Sequence, residues 1–372
     1  MEVITPLFLS GAKQQEVELR PTSIRGMLRY WYRALLGGIG ITDIKKLKEL
    51  ESKLWGKEDR GSAVGIKVKN FKFAGDGPKE ILELGLGSRN PGLTYLLFSA
   101  KMNKRPYADV GSTFCIELFS HKNEADTFLS LATSAFWCWV YLGGLGTRSR
   151  RGGGDLRVID QKLSDSIEAP DFSGNFLNVQ AFRDYLISGL NNCLDIVATK
   201  NSLKITSASA SNFANLSKNC LTMWIANKTW EDWRTVMEDV GKEFMNFRKQ
   251  KPPDYNAVKK FLTKGTLPNS IERAAFGLPI IFRYTSLGRA SATVSGDKVE
   301  RRSSPLIFHF VKLMERKYSV VIIKFSDRFL PSPSRLQIEK RGLKHLIQQP
   351  SQTIITDLIE TFKHKLNLLN II

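Results

Sequence analysis

Apolar residues at Ile24, Leu28, Trp31 and Leu35 recur at spacings of four, three and four, which predicts a helix with one buried stripe. Pro21 opens it with Thr22 or Ser23 as its cap, and a second helical pattern runs from Thr42 to about Trp55. From Ala63 to Ala74 the period changes: Val64, Ile66 and Val68 alternate with Gly65, Lys67 and Lys69, as in a half-exposed strand. Three further strands are predicted in EVITPLFLS (2–10), in TFCIELFS from Thr113 to Ser120, and in LRVID from Leu156 to Asp160. The run from Thr127 to Leu142 carries no charge and predicts a buried helix. With the extra helix set aside, the order is β, α, β, β, α, β, that of a split βαβ or ferredoxin-like unit.

The second half is less regular. Ala181 to Ala198 and Trp230 to Lys249 read as helices, the latter opened by Thr229. The stretch from Leu267 to Tyr284 passes from helix into strand, and LIFHFVKLM and SVVIIKFSD flank the polar turn ERKY as a hairpin. An amphipathic helix runs from about Thr353 to Leu369. A length of 372 residues suffices for two domains, here 1–160 and 161–372, the second with helical insertions.

Charge turns this α+β outline toward a partner. Fifty-five Lys and Arg stand against 36 Asp and Glu, a formal charge of +19, so the surface attracts polyanions at long range. Nucleic acid is the first candidate, an anionic membrane surface the second, and a generally solvated basic surface the bland alternative. Cys115, Cys138, Cys193 and Cys220 show no metal spacing and no disulfide framework. The first residues lack a signal-peptide pattern, and the expectation is a cytoplasmic protein with reduced thiols and no cofactor. The uncharged segment from Thr127 to Thr147 is long enough to span a bilayer. Ser130, Thr133 and Ser134 dilute it and Gly143 and Gly144 end it, so it reads as a buried helix and no membrane role is expected.

Three basic clusters carry the candidate chemistry. Gly143 to Arg157 holds six glycines and four arginines in fifteen residues, including Gly144, Gly146, Arg148, Arg150 and Arg151. A phosphate-binding P-loop runs strand, loop, helix and ends in Lys-Ser/Thr; here helix precedes loop and strand follows, and the loop holds no lysine. The composition suits a flexible, exposed loop whose backbone N–H groups and guanidinium groups approach a single-stranded phosphate backbone; a mobile turn with incidental charge is the alternative. Arg25, Arg29 and Arg33 fall four apart on one helix face, where they repel one another unless an external anion or acids elsewhere in the fold compensate. Tyr30 and Tyr32 could stack on bases or pack in the core. In the polar connection that starts near Ser286, Arg289, Lys298, Arg301 and Arg302 sit among small residues, either in a disordered loop or in a segment that orders on RNA. The four histidines are scattered, His309 in an apolar strand that suits a structural role. No hydrolase motif or two-metal carboxylate cluster is present, although a metal-independent ribonuclease needs only one or two acid/base groups.

TPLFLSG followed by ELRPTSIRGMLRYWYRAL, then GGLGTRSRRGGGDL, then AAFGLPIIFRY with RRSSPLIFHF, resembles the RAMP superfamily, and within it the family of the first Cmr subunit of type III-B CRISPR RNA-guided complexes. The resemblance implies two ferredoxin-like (RRM-like) domains and a glycine-rich loop between the last helix and strand of a domain. It also implies binding of guide or target single-stranded RNA beside other Cmr subunits in an antiviral assembly, with target cleavage expected of the backbone-forming subunit. Arg25 and Arg29 match its S-I-R-G-x-L-R motif; Gly144, Gly146, Arg148, Arg150 and Arg151 match its glycine-rich signature. Relatives often carry an aromatic where this chain has Gly153, which favours backbone contact over base stacking by the loop. A guide-processing endoribonuclease on the same fold, with His121 as its best candidate, is the enzymatic alternative. A structural cap whose basic faces bind protein neighbours is the third reading.

Overall fold

The computed structural model describes residues 1–207, 212–250, 254–351 and 353–372. Its first unit comprises β1 (Glu2–Val3), α1 (Pro21–Gly38), α2 (Ile44–Trp55), β2 (Gly65–Lys72), the short helices α3 (Pro91–Leu96) and α4 (Phe98–Met102), β3 (Thr113–Phe119), α5 (Ala125–Leu142) and β4 (Leu156–Arg157). The four strands form one antiparallel sheet in the order β2-β3-β1-β4. This is the ferredoxin-like order, with α2, α3 and α4 as additions.

The rest comprises α6 (Val179–Lys200), β5 (Leu221–Ala226), α7 (Trp233–Gln250), α8 (Asp254–Lys264), β6 (Ile280–Tyr284), β7 (Ala290–Gly296), β8 (Leu306–Lys312), β9 (Tyr318–Phe325), β10 (Leu336–Lys340), β11 (Leu343–Ile347), α9 (Thr353–Leu366) and β12 (Leu368–Asn370). A second antiparallel sheet runs β12-β5-β9-β8. Taken as β5, α7, β8, β9, α9, β12, this repeats the ferredoxin-like order. What separates α7 from β8 and β9 from α9 in sequence meets in space: β6, β7, β10 and β11 make a third sheet, backed by α8 around Val258, Phe261 and Ile338.

The expected hairpin is β8–β9, in register from Leu306↔Lys324 to Lys312↔Tyr318. Its continuous apolar runs reflect burial on both faces. Val321, Ile323 and Phe325 face a core built with α1, α5 and α6, whereas Val320 and Ile322 face α7 and α9. The helices of the first unit therefore cover one side of the second unit's sheet. Along α1 the stripe Ile24, Leu28, Trp31 and Leu35 is buried as its spacing predicts, and Tyr32 joins it in the core.

Several expectations shift. Pro21 occupies the first turn of α1, so Arg20 is the N-cap and makes no side-chain cap bond; Thr22 and Ser23 lie within the helix. Helix α7 begins at Trp233 rather than Trp230, because Trp230 pairs its backbone with Tyr318 and Asp232 accepts from Thr235. The polar connection after Ser286 is in part strand β7, whose small side chains pair with β6 and β10. The segment 2–10 forms only a two-residue strand, and the chain closes on β12 rather than a longer helix. No helix among the described residues is long and apolar enough to cross a membrane, and α5 is enclosed in the core.

Candidate nucleic-acid interface

The glycine-rich loop is not the exposed turn its composition suggests. The amide of Leu145 donates to Gly154 O, that of Thr147 to Phe8 O, that of Gly154 to Pro6 O, and that of Asp155 to Thr5 Oγ1, all within 2.8–2.9 Å. Arg151 N and Gly153 N both donate to Arg148 O. Backbone donors that could have met phosphate are thus spent on the fold itself. Glycine is required for this stitching: a Cβ at Gly146 (φ +86°) would lie 2.3 Å from Phe8 O, and one at Gly154 (φ +73°) 2.1 Å from Leu145 O. At Gly153 a Cβ would lie 2.7 Å from Thr147 O, so the position has no room for an aromatic side chain. Gly144 is buried against Asp155 and the Gly153 carbonyl.

The three loop arginines point in different directions. Arg151 is enclosed: its guanidinium lies 5.0 and 5.2 Å from the ring centres of Phe244 and Phe308, and donates to Leu306 O and Ser304 Oγ at 2.8 Å. Its neighbour's carbonyl, Arg150 O, accepts from Phe308 N, joining the loop to the edge of β8. Burial pushes the Arg151 guanidinium well below its usual range. Arg148 donates to the carbonyls of Leu96 and Tyr95, and burial pushes its pKa down to about 10. Only Arg150 faces a groove, donating to Ser304 O (2.9 Å) and to the Tyr30 hydroxyl (2.8 Å), with its guanidinium 5.2 Å from the Tyr30 ring centre. Below the loop, buried Asp155 accepts from Phe310 N (2.8 Å) and contacts His309 Nδ1 (3.1 Å); desolvation pushes its pKa up against the pull of His309. His309 is a structural histidine, as its strand suggests. The fourth loop arginine, Arg157, pairs with Glu2, which also accepts from Lys312.

On α1 the mutual repulsion of the arginines is relieved from within. Glu51 of α2, buried, accepts from Arg29 Nε at 2.5 Å and from Arg33 at 3.3 Å, while these arginines keep 38% and 42% of their side-chain surface exposed. Arg25 has no ion-pair partner among the described residues, and its Nε is buried without a hydrogen bond. Sequence reasoning missed Glu51. Its signal was present: it falls between Leu47 and Leu54 at spacings of four and three, a carboxylate on a buried face.

These side chains line three recesses, two of which share Tyr30, Phe213 and Ala214 as a common wall. Arg25 and Arg29 border a cleft of about 750 Å³ with Trp55, Lys57, Glu58, Asp59 and Arg60. Arg33 and Tyr30 border the next, with Lys48 and Phe213. Tyr30 and Phe213 then line a third with Arg150, Arg301 and Arg302. Arg301 is exposed, whereas Arg302 is drawn in against Asp327 (3.0 Å) and the Phe329 ring (5.1 Å). The fold thus brings Arg33, Arg150, Arg301 and Arg302 to one groove, sets Arg25 and Arg29 in a cleft that adjoins it across the Glu51 ion pairs, and turns Arg148 and Arg151 away. Lys57, Arg60 and Phe213 are additions; the first two stand in the turn GKEDRG, whose two acids cancel their charge and hide them from a count of basic residues, while Phe213 carried no signal. No group of three His, Cys, Asp or Glu suited to a metal ion occurs among the described residues.

Comparison with known proteins fits this geometry into a family. The sequence pattern of the RAMP superfamily matches residues 1–157. The CRISPR system Cmr subunit Cmr1-1 of Pyrococcus furiosus is 29% identical over 338 residues, 89% of this chain and 88% of that protein. Cmr1-2 of the same organism is 32% identical over 179 residues, 42% of this chain and 92% of that protein. The crystal structure of Cmr1 from Pyrococcus furiosus, in its apo form, shares the fold with a TM-score of 0.62 at 23% identity, covering 100% of this chain and 96% of that one. A chain of the type III-B Cmr-beta complex bound to cognate target RNA and AMPPnP shares it with a TM-score of 0.50 at 14% identity, covering 98% and 99%.

Proposed function

This chain belongs to the RAMP superfamily, as a Cmr1 subunit of a type III-B Cmr complex, and from that premise we propose that it holds single-stranded RNA, guide or target, in the arginine groove without cutting it. The observation that carries the reading is the path from Arg25 through Arg33 to Arg150 and Arg301 along one face, with Tyr30 and Phe213 in its walls. Guanidinium groups half-exposed in a groove contact phosphate in any sequence, and the two rings offer apolar faces to bases. Cmr-beta in complex with target RNA supports RNA and sister subunits as the partners of this chain. In this reading Arg148 and Arg151 act one step removed: they fix the loop that presents Arg150. We further propose residues 1–160 and 161–372 as the two domains, with the groove passing from the first to the second at Tyr30 and Arg150.

Retention of labelled single-stranded RNA by the purified chain tests the reading. Five groove arginines (Arg25, Arg29, Arg33, Arg150 and Arg301) predict a log-log salt slope of about −3.5, from roughly 0.7 per phosphate contact. Intact RNA after prolonged incubation is the expected companion result. Cleavage that disappears in His121→Ala would establish the endoribonuclease reading instead, and a salt-insensitive affinity would remove the groove as the main site.

A further inference from the structure

The third sheet ends in an edge unlike the others. Sheet edges expose unpaired N–H and C=O groups, and proteins blunt them with charge, short length, proline or a cover. Here β2 carries Lys67, Lys69 and Lys72 and an irregular register between the last two. Strands β4 and β12 are two and three residues long, and the glycine-rich loop covers β8 through the Arg151–Phe308 bridge. Strand β6 starts behind Pro279 and exposes a single apolar side chain, Ile281, beside Arg283.

Strand β11 carries one charge, Lys344, set opposite Glu339 of β10, and otherwise lacks these protections along its length. It is held in register to β10 from Leu336↔Ile347 to Lys340↔Leu343 by a two-residue turn, Arg341–Gly342, with both residues at positive φ. No strand among the described residues pairs with its other side. Its first four residues are exposed, with Leu343 68% and Leu346 45% accessible. Side chains alternate across a strand, so 343 and 346 present leucines on opposite faces of the same edge. Past its end, Gln348 N donates to Asn269 O, so strand-like pairing already begins on this side and stops where β11 opens to solvent. Arg341 and Lys344 on the hairpin, and Lys260 and Lys264 on the backing helix, are exposed around it.

We propose that β11 is a docking edge on which an extended, acidic segment of a neighbouring protein subunit adds as a fifth strand. Backbone pairing supplies the affinity, leucines on both faces supply apolar anchors, and the surrounding cations select an acidic sequence. RNA has no backbone donors and acceptors at strand spacing, so the edge favours a protein over the ligand of the arginine groove.

The test uses a type III-B complex reconstituted from purified subunits and guide RNA. Amide hydrogen exchange of 343–347 is followed in the isolated chain, in the chain with single-stranded RNA, and in the assembled complex. Exchange is expected to slow at least tenfold only on assembly. Leu343→Lys with Leu346→Lys is expected to keep wild-type melting and RNA affinity while lowering affinity for the complex at least tenfold. Protection by RNA alone would assign the edge to RNA, and protection that grows with chain concentration would assign it to a second copy. Unchanged exchange, or wild-type assembly of the variant, would leave it an ordinary solvated edge. Each of these overturns the proposal. RNA affinity is read separately, so a failure of the groove and a failure of this edge are distinguishable.

Discussion

Arg151 and Arg33 carry the same guanidinium group and resemble each other as candidates for phosphate contact. One is enclosed between Phe244 and Phe308 with the Leu306 carbonyl as acceptor; the other rests on Glu51 with 42% of its side-chain surface open. The difference lies in what each region must accomplish for the fold. The glycine-rich loop crosses from the first unit to the edge strand β8 of the second, so its amides are taken by acceptors of the first unit and the Arg150 and Arg151 guanidinium groups by carbonyls of the second. The arginine face of α1 lies against α2 and otherwise opens into the recesses, so its one internal acid compensates part of the charge and leaves the remainder outward. An arginine-rich sequence therefore separates into fastener and contact surface by the number of backbone acceptors that tertiary structure brings to each guanidinium.

The largest expected effect breaks the fastener. Arg151→Ala leaves Leu306 O and Ser304 Oγ without their donor and opens a space between two rings. We expect unfolding free energy to fall by about 3 kcal/mol, from the cost of stranded buried acceptors together with lost packing. Urea unfolding checks this, with RNA affinity measured below the transition. Arg151→Lys is expected to restore little, because an ammonium lacks the planar fork that meets several acceptors at once. Unchanged stability with lost RNA binding would return Arg151 to the contact surface and dissolve the contrast.

A smaller effect sharpens the other side. Glu51→Gln keeps a hydrogen-bond acceptor for Arg29 but removes the negative charge beneath the groove. Stability is expected to fall by about 1 kcal/mol, as the arginines concerned are half-exposed and screened by water. RNA affinity is expected to rise a few-fold at low salt, with the gain fading as the Debye length shortens. Fluorescence anisotropy with a labelled RNA across a salt series reads both. A loss of affinity would mean that Glu51 orients Arg29 and Arg33 more than it neutralises them.

The sequence was informative where local pattern decides the outcome. The α1 stripe, the α5 helix, the β8–β9 hairpin and the order helix, glycine loop, strand all follow from periodicity and turn residues. It was uninformative where distant segments complete one another. Strand β7, ASATVSG, has too few large apolar residues to show a period, and β10 and β11 acquire their place only by pairing beside it across some forty residues of chain. The N-cap of α1 was misread because Pro21 imposes a helix start one residue before the polar side chains that usually cap. The exposure of the glycine-rich loop was misread because glycine and arginine counts are the same for a mobile loop and for one stitched to Pro6, Phe8 and Phe308. Glu51 was the exception, a tertiary partner visible as a carboxylate on an apolar face.

The smallest expected effect asks whether the groove is one site along its length. Arg33 and Arg150 share Tyr30, which lines both their recesses and accepts a hydrogen bond from Arg150. A phosphate held near one lies within the field of the other, so Arg33→Ala and Arg150→Ala are expected to couple by about 1 kcal/mol in a double-mutant cycle on RNA affinity. Arg25 borders a separate cleft with Trp55 and Arg60, and the Arg29–Glu51–Arg33 ion pairs stand between it and the loop. Arg25→Ala with Arg150→Ala should therefore add within about 0.5 kcal/mol, the behaviour of sites without shared contacts. Each single variant is expected to weaken binding without shifting the melting transition, since none of the three side chains is enclosed. Strong coupling of Arg25 to Arg150 would mean that one rigid stretch of RNA spans the groove. Additivity of Arg33 with Arg150 would separate the loop from the helix and leave Tyr30 as a packing residue.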